Sequence, residues 1–327
     1  MKKWLVVGCV SLLVACAGVA TKKEAEPVLL DNPAVFAGKS EVVLGDFRVT
    51  FVTFDKASAV AESPMFSSDR GYARTSLRAK LVDVPESVMQ DLTDKVYQDF
   101  VASLSAKGYR LADRSVLAAN AEWQKLKVLP SPQVDTSSFK AITGGSQETA
   151  TFAPTGLSLV DLNAGKAMPY QAYFAAEQIG TPVLGVHYTV HFVYFGSETE
   201  YTSNAAYDYK GAEYSAEVTA GQGIQVTPGS GVVWMMGAAG TFNNPNGKVT
   251  LGAPVLIPGP FGISKDATSG MQKAANVFSS ALGMVSGGSS SAKDIEIKAD
   301  PTRYAANAEK ALLETNQRLL SSLAGAR

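Results

Sequence analysis

Hydrophobic and polar positions divide this chain into segments of two periods. Residues 42–54 are rich in Val, Phe and Thr and predict a largely buried strand. A polar loop is expected over 55–71. The run 74–82 then alternates, with Thr75, Leu77, Ala79 and Leu81 on one face and Arg74, Ser76, Arg78 and Lys80 on the other, the pattern of a half-buried strand. Pro85 opens a helix, a position where its fixed φ and missing N–H do no harm. Val88, Leu92, Val96, Phe100 and Leu104 repeat every four residues there, and Met89, Tyr97 and Val101 widen the stripe, so one face is expected in the core. Gly108 supplies a left-handed stop, residues 109–112 a short strand, and Ser115 a cap for a second helix through Leu126. Residues 127–169 show no clear period and read as a long excursion with a short strand at 156–162.

The most distinctive pattern lies between residues 183 and 226. Leu184, Val186, Tyr188, Val190, Phe192 and Tyr194 share one face, and Gly185, His187, Thr189 and His191 the other. In the later run Ala212, Tyr214, Ala216, Val218, Ala220, Ile224 and Val226 oppose Glu213, Ser215, Glu217, Thr219, Gln225 and Thr227. Both runs exceed the usual strand of about 5–6 residues and can pair as a long hairpin through a polar tip near 196–204. Such a hairpin fits an antiparallel sheet with one wet face. It also fits a membrane hairpin, whose strands alternate over about 9–11 residues, provided Glu213 and Glu217 face a wet lumen.

Further on, residues 232–236 and 249–257 flank Asn243-Asn244-Pro245-Asn246-Gly247 and predict a second hairpin. Its two faces are both apolar, with Trp234 and Met236 against Val233 and Met235. Met271, Ala275, Phe278, Leu282 and Val285 mark a helix that ends in the flexible run 287–291. Ile295 and Ile297 suggest an edge strand. Asp300-Pro301 starts a final helix, striped by Tyr304, Ala308, Leu312, Leu319 and Leu323, that docks on its own domain. These elements add up to an α+β fold: a mixed or antiparallel sheet with packed amphipathic helices, a long β-hairpin and a C-terminal helix.

At the other end, Lys2 and Lys3 precede an apolar run over residues 4–15, the layout of a secretory signal too short to span a bilayer. Its last residues, Leu13-Val14-Ala15-Cys16, resemble the lipobox of bacterial lipoproteins. That resemblance implies lipidation at Cys16, and Ala17 rather than Asp after the cysteine implies the outer membrane. A plain secretory signal cut after Ala17 or Ala20 is the other reading. Acyl chains on Cys16 would hold the protein on the bilayer, since two or more chains anchor stably. The organisation expected is a signal over 1–15, a lipid anchor and tether over 16–40, and one periplasmic domain over 41–327, divided into a core at 41–200 and hairpins with C-terminal helices at 201–327.

Within that domain, the helix ending at Gly108, the run Tyr109-Arg110-Leu111-Ala112-Asp113-Arg114 and the helix start Ser115-Val116-Leu117 resemble the core of the curli-export (CsgG-like) lipoprotein family and of TolB amino-terminal domains. Ala175-Ala176-Glu177-Gln178-Ile179-Gly180 leading into Val183-Leu184-Gly185-Val186 resembles the later helix-to-strand step of that fold. The resemblance covers about residues 41–200 with a gap at 127–169. It implies hairpins from several subunits that close a pore.

Composition narrows the chemistry. With 46% apolar and 18% charged residues the chain can bury a large core. Removing Lys2 and Lys3 takes the net charge from −1 to −3, which gives no support for nucleic acid as a partner. Cys9 and Cys16 are the two cysteines, so the mature domain is expected to hold no disulfide and no thiol nucleophile. His187 and His191 have the spacing of a helical zinc pair, but on a strand four residues span about 13 Å and cannot share one ion. Gly221-Gln222-Gly223 begins a nucleotide-loop pattern that Val226 breaks. No catalytic, cofactor or metal site is expected, and the reading is a non-enzyme acting in envelope assembly or export through protein contacts. Two alternatives stand beside it: an oligomeric secretion pore, and a glycan- or ligand-binding lipoprotein using Tyr201, Tyr207, Tyr209 and Tyr214.

Overall fold

The structure, a computed structural model, describes residues 25–62, 71–136, 147–161, 170–202, 213–237, 244–273, 275–276, 279 and 288–325. Residues 1–24, which include the expected signal, Cys16 and part of the expected tether, lie outside these residues. The chain folds as α+β. Its elements are β1 (Val28–Asp31), β2 (Glu41–Glu62), β3 (Tyr72–Val82), α1 (Glu86–Ala106), β4 (Arg110–Leu111), α2 (Ser115–Ala118), α3 (Ala121–Gln124), β5 (Val128–Leu129), β6 (Gln133–Asp135), β7 (Glu148–Phe152), β8 (Leu159–Val160), α4 (Tyr170–Ile179), β9 (Val183–Thr202), β10 (Glu213–Val226), β11 (Gly231–Met235), β12 (Gly247–Leu251), β13 (Val255–Pro258), β14 (Gly262–Asp266), β15 (Gly288–Ala299) and a C-terminal helix, Pro301–Gly325. No helix among the described residues is long and apolar enough to cross a membrane.

The base of the molecule is a sheet ordered β1-β12-β11-β9-β2, with β9 and β2 parallel and the other pairs antiparallel. On one face lie α1 and the C-terminal helix. The α1 stripe that buries is Met89, Leu92, Val96, Phe100 and Leu104, and the C-terminal helix adds Tyr304, Ala308, Leu312, Leu319 and Leu323. Phe47 stands at the centre, edge-on to Tyr97, Phe100 and Tyr188 with ring centroids 5.4–5.8 Å apart. The other face is covered near its lower end by α2, α3 and α4, through Leu117, Ala172 and Ala176 against Val43, Val183 and Met235.

Above the base the sheet forks. β2 pairs with β9 through Phe51, then takes β3 as its partner on that edge from Phe54 onward. β9 continues upward paired with β10 from Val190 to Thr202. The strands β9 and β10 curl over β2, β3 and β15 to make a two-layer arm. Its filling is small and apolar: Ala59 and Leu77 from one layer and Val218 from the other, flanked by Ala57, Phe195, Ala216 and Ala220. Thr75 Oγ1 donates to the Ala216 carbonyl at 2.6 Å and the Gly71 N–H to the Tyr214 hydroxyl at 3.2 Å, tying the layers together toward the tip.

Several expectations change. The loop expected at 55–71 is strand as far as Glu62, because Ala57, Ala59 and Ala61 alternate inward too weakly to be read as a periodic face. The second helix breaks in two. Asn120 caps its second half by accepting from the Glu122 and Trp123 N–H groups, and the Asp113 carboxylate rather than the Ser115 hydroxyl serves the first. The excursion at 127–169 contributes β7, paired antiparallel with β2. The second hairpin is shorter than expected. β12 stops at Leu251, and β13 pairs instead with β10. Ile295 and Ile297 sit on an interior strand, with β15 between β3 and β14, and residues 288–291 of the Gly-Ser run, expected to be flexible, form the first part of β15. A glycine-serine run lacks any hydrophobic signature, so only the parallel ladder with β3 reveals it as strand.

Candidate functional site

Among the described residues, two of the places that gather polar side chains lie at the fork. The first is the face of β2 and β9 opposite the long helices. A bulge at Gly45 turns Asp46 inward, where it is 2% exposed and accepts from Arg48 Nε at 2.6 Å. Arg48 also donates to the Val160 carbonyl and so fastens β8 to the sheet. Its register partner on β9 is His187, whose Nε2 lies 3.1 Å from the Thr50 hydroxyl, itself 2.9 Å from Thr151 on β7. Lost hydration in this crowded row, and then repulsion from the Arg48 guanidinium, lower the His187 pKa from 6.5 to about 4. The ring edge is open to solvent, which weakens both influences.

Four residues higher, His191 Nδ1 lies 2.9 Å from Asp55 Oδ2 at the crotch of the fork. Asp55 is 6% exposed and satisfies its other oxygen with the Lys56 N–H and Gln147 Nε2. This pair joins β9 to β2 at the point where their ladder ends. The two histidines therefore share a face, as the alternation predicts, and bind different partners. Among the described residues no group of three or more His, Cys, Asp or Glu side chains could hold a metal ion. A carboxylate-oriented imidazole is the arrangement a general base uses. Here the ring's described hydrogen bond goes to Asp55 alone, so the pair acts as a clasp between strands.

The second place is the arm's outer surface. On the β9–β10 layer Tyr194, Gly196, Glu198 and Glu200 face outward beside Ser215, Glu217, Thr219 and Gly221. Glu198 and Glu217 are direct cross-strand partners, and with Glu200 they line a recess of about 420 Å³. A Cβ on Gly221 would run into the Tyr194 ring, so the G-x-G stretch is a seat for an aromatic side chain and its glycines hold no nucleotide loop. The larger groove, about 1230 Å³, runs between α1 and the C-terminal helix past Asp99, Lys107, Lys310, Glu314 and Arg318. Its mixed, solvated charges give it no single chemical preference.

Cys16, the lipidation residue expected from the sequence, lies outside the described residues. Tyr207 and Tyr209 do too, and of the tyrosine set Tyr214 is half-buried with its hydroxyl on Gly71. Asp46 and Arg48 escaped sequence reasoning although two charges interrupting the apolar run 42–54 were a usable signal. No protein-family model matches the chain, and no curated protein or solved structure matches it.

Proposed function

We propose that this protein is an outer-membrane lipoprotein, anchored through Cys16 and facing the periplasm, that acts without catalysis in cell-envelope assembly or export by contacting other proteins. The forked arm is the surface it presents. The observation that carries this reading is that two hairpins with strands of up to 22 and 20 residues leave the helix-covered base at one end and expose polar, charged faces there. Leu13-Val14-Ala15-Cys16 supports the anchor.

The test has two arms. Mass spectrometry of the mature amino terminus should find acylated Cys16, and Cys16→Ala should move the protein from the membrane to the soluble periplasmic fraction. In cells lacking the protein, a Glu198→Lys/Glu217→Lys chain should stay anchored yet fail to restore envelope integrity. A soluble wild-type protein defeats the anchor, and full rescue by the arm variant defeats the contact surface.

A secretion pore, which the curli-export resemblance implies, is a second reading. It is favoured by the free outer edges of β9 and β10 above Phe192 and Gly223, where each strand pairs only with the other among the described residues. For the hairpin to enter a bilayer, Phe195, Val218 and Ala220 would have to leave their packing against β2 and β3. Stepwise conductance in planar bilayers decides it.

A further inference from the structure

The two layers of the arm differ in charge: the outward rows of β9 and β10 carry carboxylates only, whereas the opposite layer turns Lys56, Arg74, Arg78 and Lys80 to solvent beside Glu62, Asp294 and Glu296. On the β9–β10 layer the outward row holds Glu198, Glu200 and Glu217, and neither strand contains a Lys or Arg. Glu198 and Glu217 stand directly opposite each other, an arrangement in which like charges destabilise a pair of strands. No cation pairs with any of the three among the described residues. On the far side, the outward row of β3 is Arg74, Ser76, Arg78 and Lys80, with Lys56 of β2 opposite Arg78. Arg78 is held by Asp294 on β15, at 2.5 and 2.8 Å. Glu296, beside Lys80, is the other acid on that side of β15. Lys56, Arg74 and Lys80 make no ion pair among the described residues.

We propose that these two sheet faces dock on each other in successive copies of this chain, the carboxylate row of one arm meeting the cationic row of the next. Charge complementarity within a single sequence selects a second copy as the occupant. Glu198, Glu200 and Glu217 on one face and Lys56, Arg78 and Lys80 on the other each span two neighbouring strands about 5–8 Å apart, and Arg74 stands about 13 Å from Arg78 along β3. Docking supplies a counter-charge that no described residue gives the Glu198–Glu217 pair. Because the two faces differ and lie on opposite sides of one slab, the contact is head-to-tail and repeats from copy to copy. The inference goes beyond the functional reading, since it needs neither the lipid anchor nor an envelope partner.

Sedimentation velocity of the full chain in density-matched detergent tests it. The wild-type protein should self-associate at low ionic strength and dissociate as salt is raised. Glu198→Lys/Glu217→Lys and, separately, Arg74→Glu/Lys80→Glu should each weaken association about tenfold or more, because they set like charges face to face. All four changes together should restore it, since both faces then reverse sign. Glu198→Gln/Glu217→Gln, with an unchanged circular dichroism spectrum, guards against loss by misfolding and should weaken association to a smaller extent. A wild-type protein that stays single at low salt overturns the proposal, and so does an unchanged constant in either reversal or a failure of the four-fold variant to recover.

Discussion

Asn316 lies in the middle of the C-terminal helix, fully buried, and spends its amide on three partners: it donates to the Val96 carbonyl at 3.0 Å and to Asp99 Oδ2 at 2.7 Å, and accepts from the Tyr188 hydroxyl at 2.7 Å. Burial, and then the Asp99 carboxylate, push the Tyr188 phenol well above the ordinary tyrosine range, so it remains a donor. Asn316→Ala strands these groups and should cost about 2–4 kcal/mol, measured by denaturant unfolding. Tyr188→Phe removes one donor and should cost about 1–2 kcal/mol. Gly45 is a second sensitive point, because a Cβ there would stand 2.5 Å from Trp123 Cη2 and 2.6 Å from Val183 Cγ1. Gly45→Ala should cost about 1–3 kcal/mol in the same measurement. His187 sets a pH dependence. The unfolded chain protonates it near 6.5 and the folded chain only near 4, so its contribution is whole above 6.5, shrinks as pH falls and levels off below about 4. His187→Gln should make the melting temperature fall less steeply between those values.

The elements differ in how firmly they are held. The base buries large side chains against helices on both faces, whereas the arm is filled by alanines around Leu77, Phe195 and Val218. Leu77→Ala should cost about 2 kcal/mol, and its effect should concentrate above the fork. Amide exchange should quicken in β3 and β10 while α1 and the lower part of β9 keep their protection. The same contrast governs what the sequence reveals. The stripe of α1, the C-terminal helix and the long alternation of β9 are legible because their packing uses large apolar residues at fixed periods. The upper half of β2 and the first half of β15 are not, since alanine and serine pack there without a periodic signal. The candidate site was legible only in part: alternation places His187 and His191 on one face, but their partners Thr50 and Asp55 come from a strand more than a hundred residues away.

For the whole molecule, the decisive relation is long-range. That β2 and β9 would lie side by side and run the same way cannot be inferred from either strand alone, and it alone brings the two hairpins to a common end. It has a mechanical consequence. A pull between the amino-terminal side of the base and the outer end of the arm acts along both strands, so their shared hydrogen bonds from Val43 to Phe51 are loaded together instead of one after another. The joint behaves as a glued lap, and a molecule gripped at those two places would stretch its arm before it parted at its root.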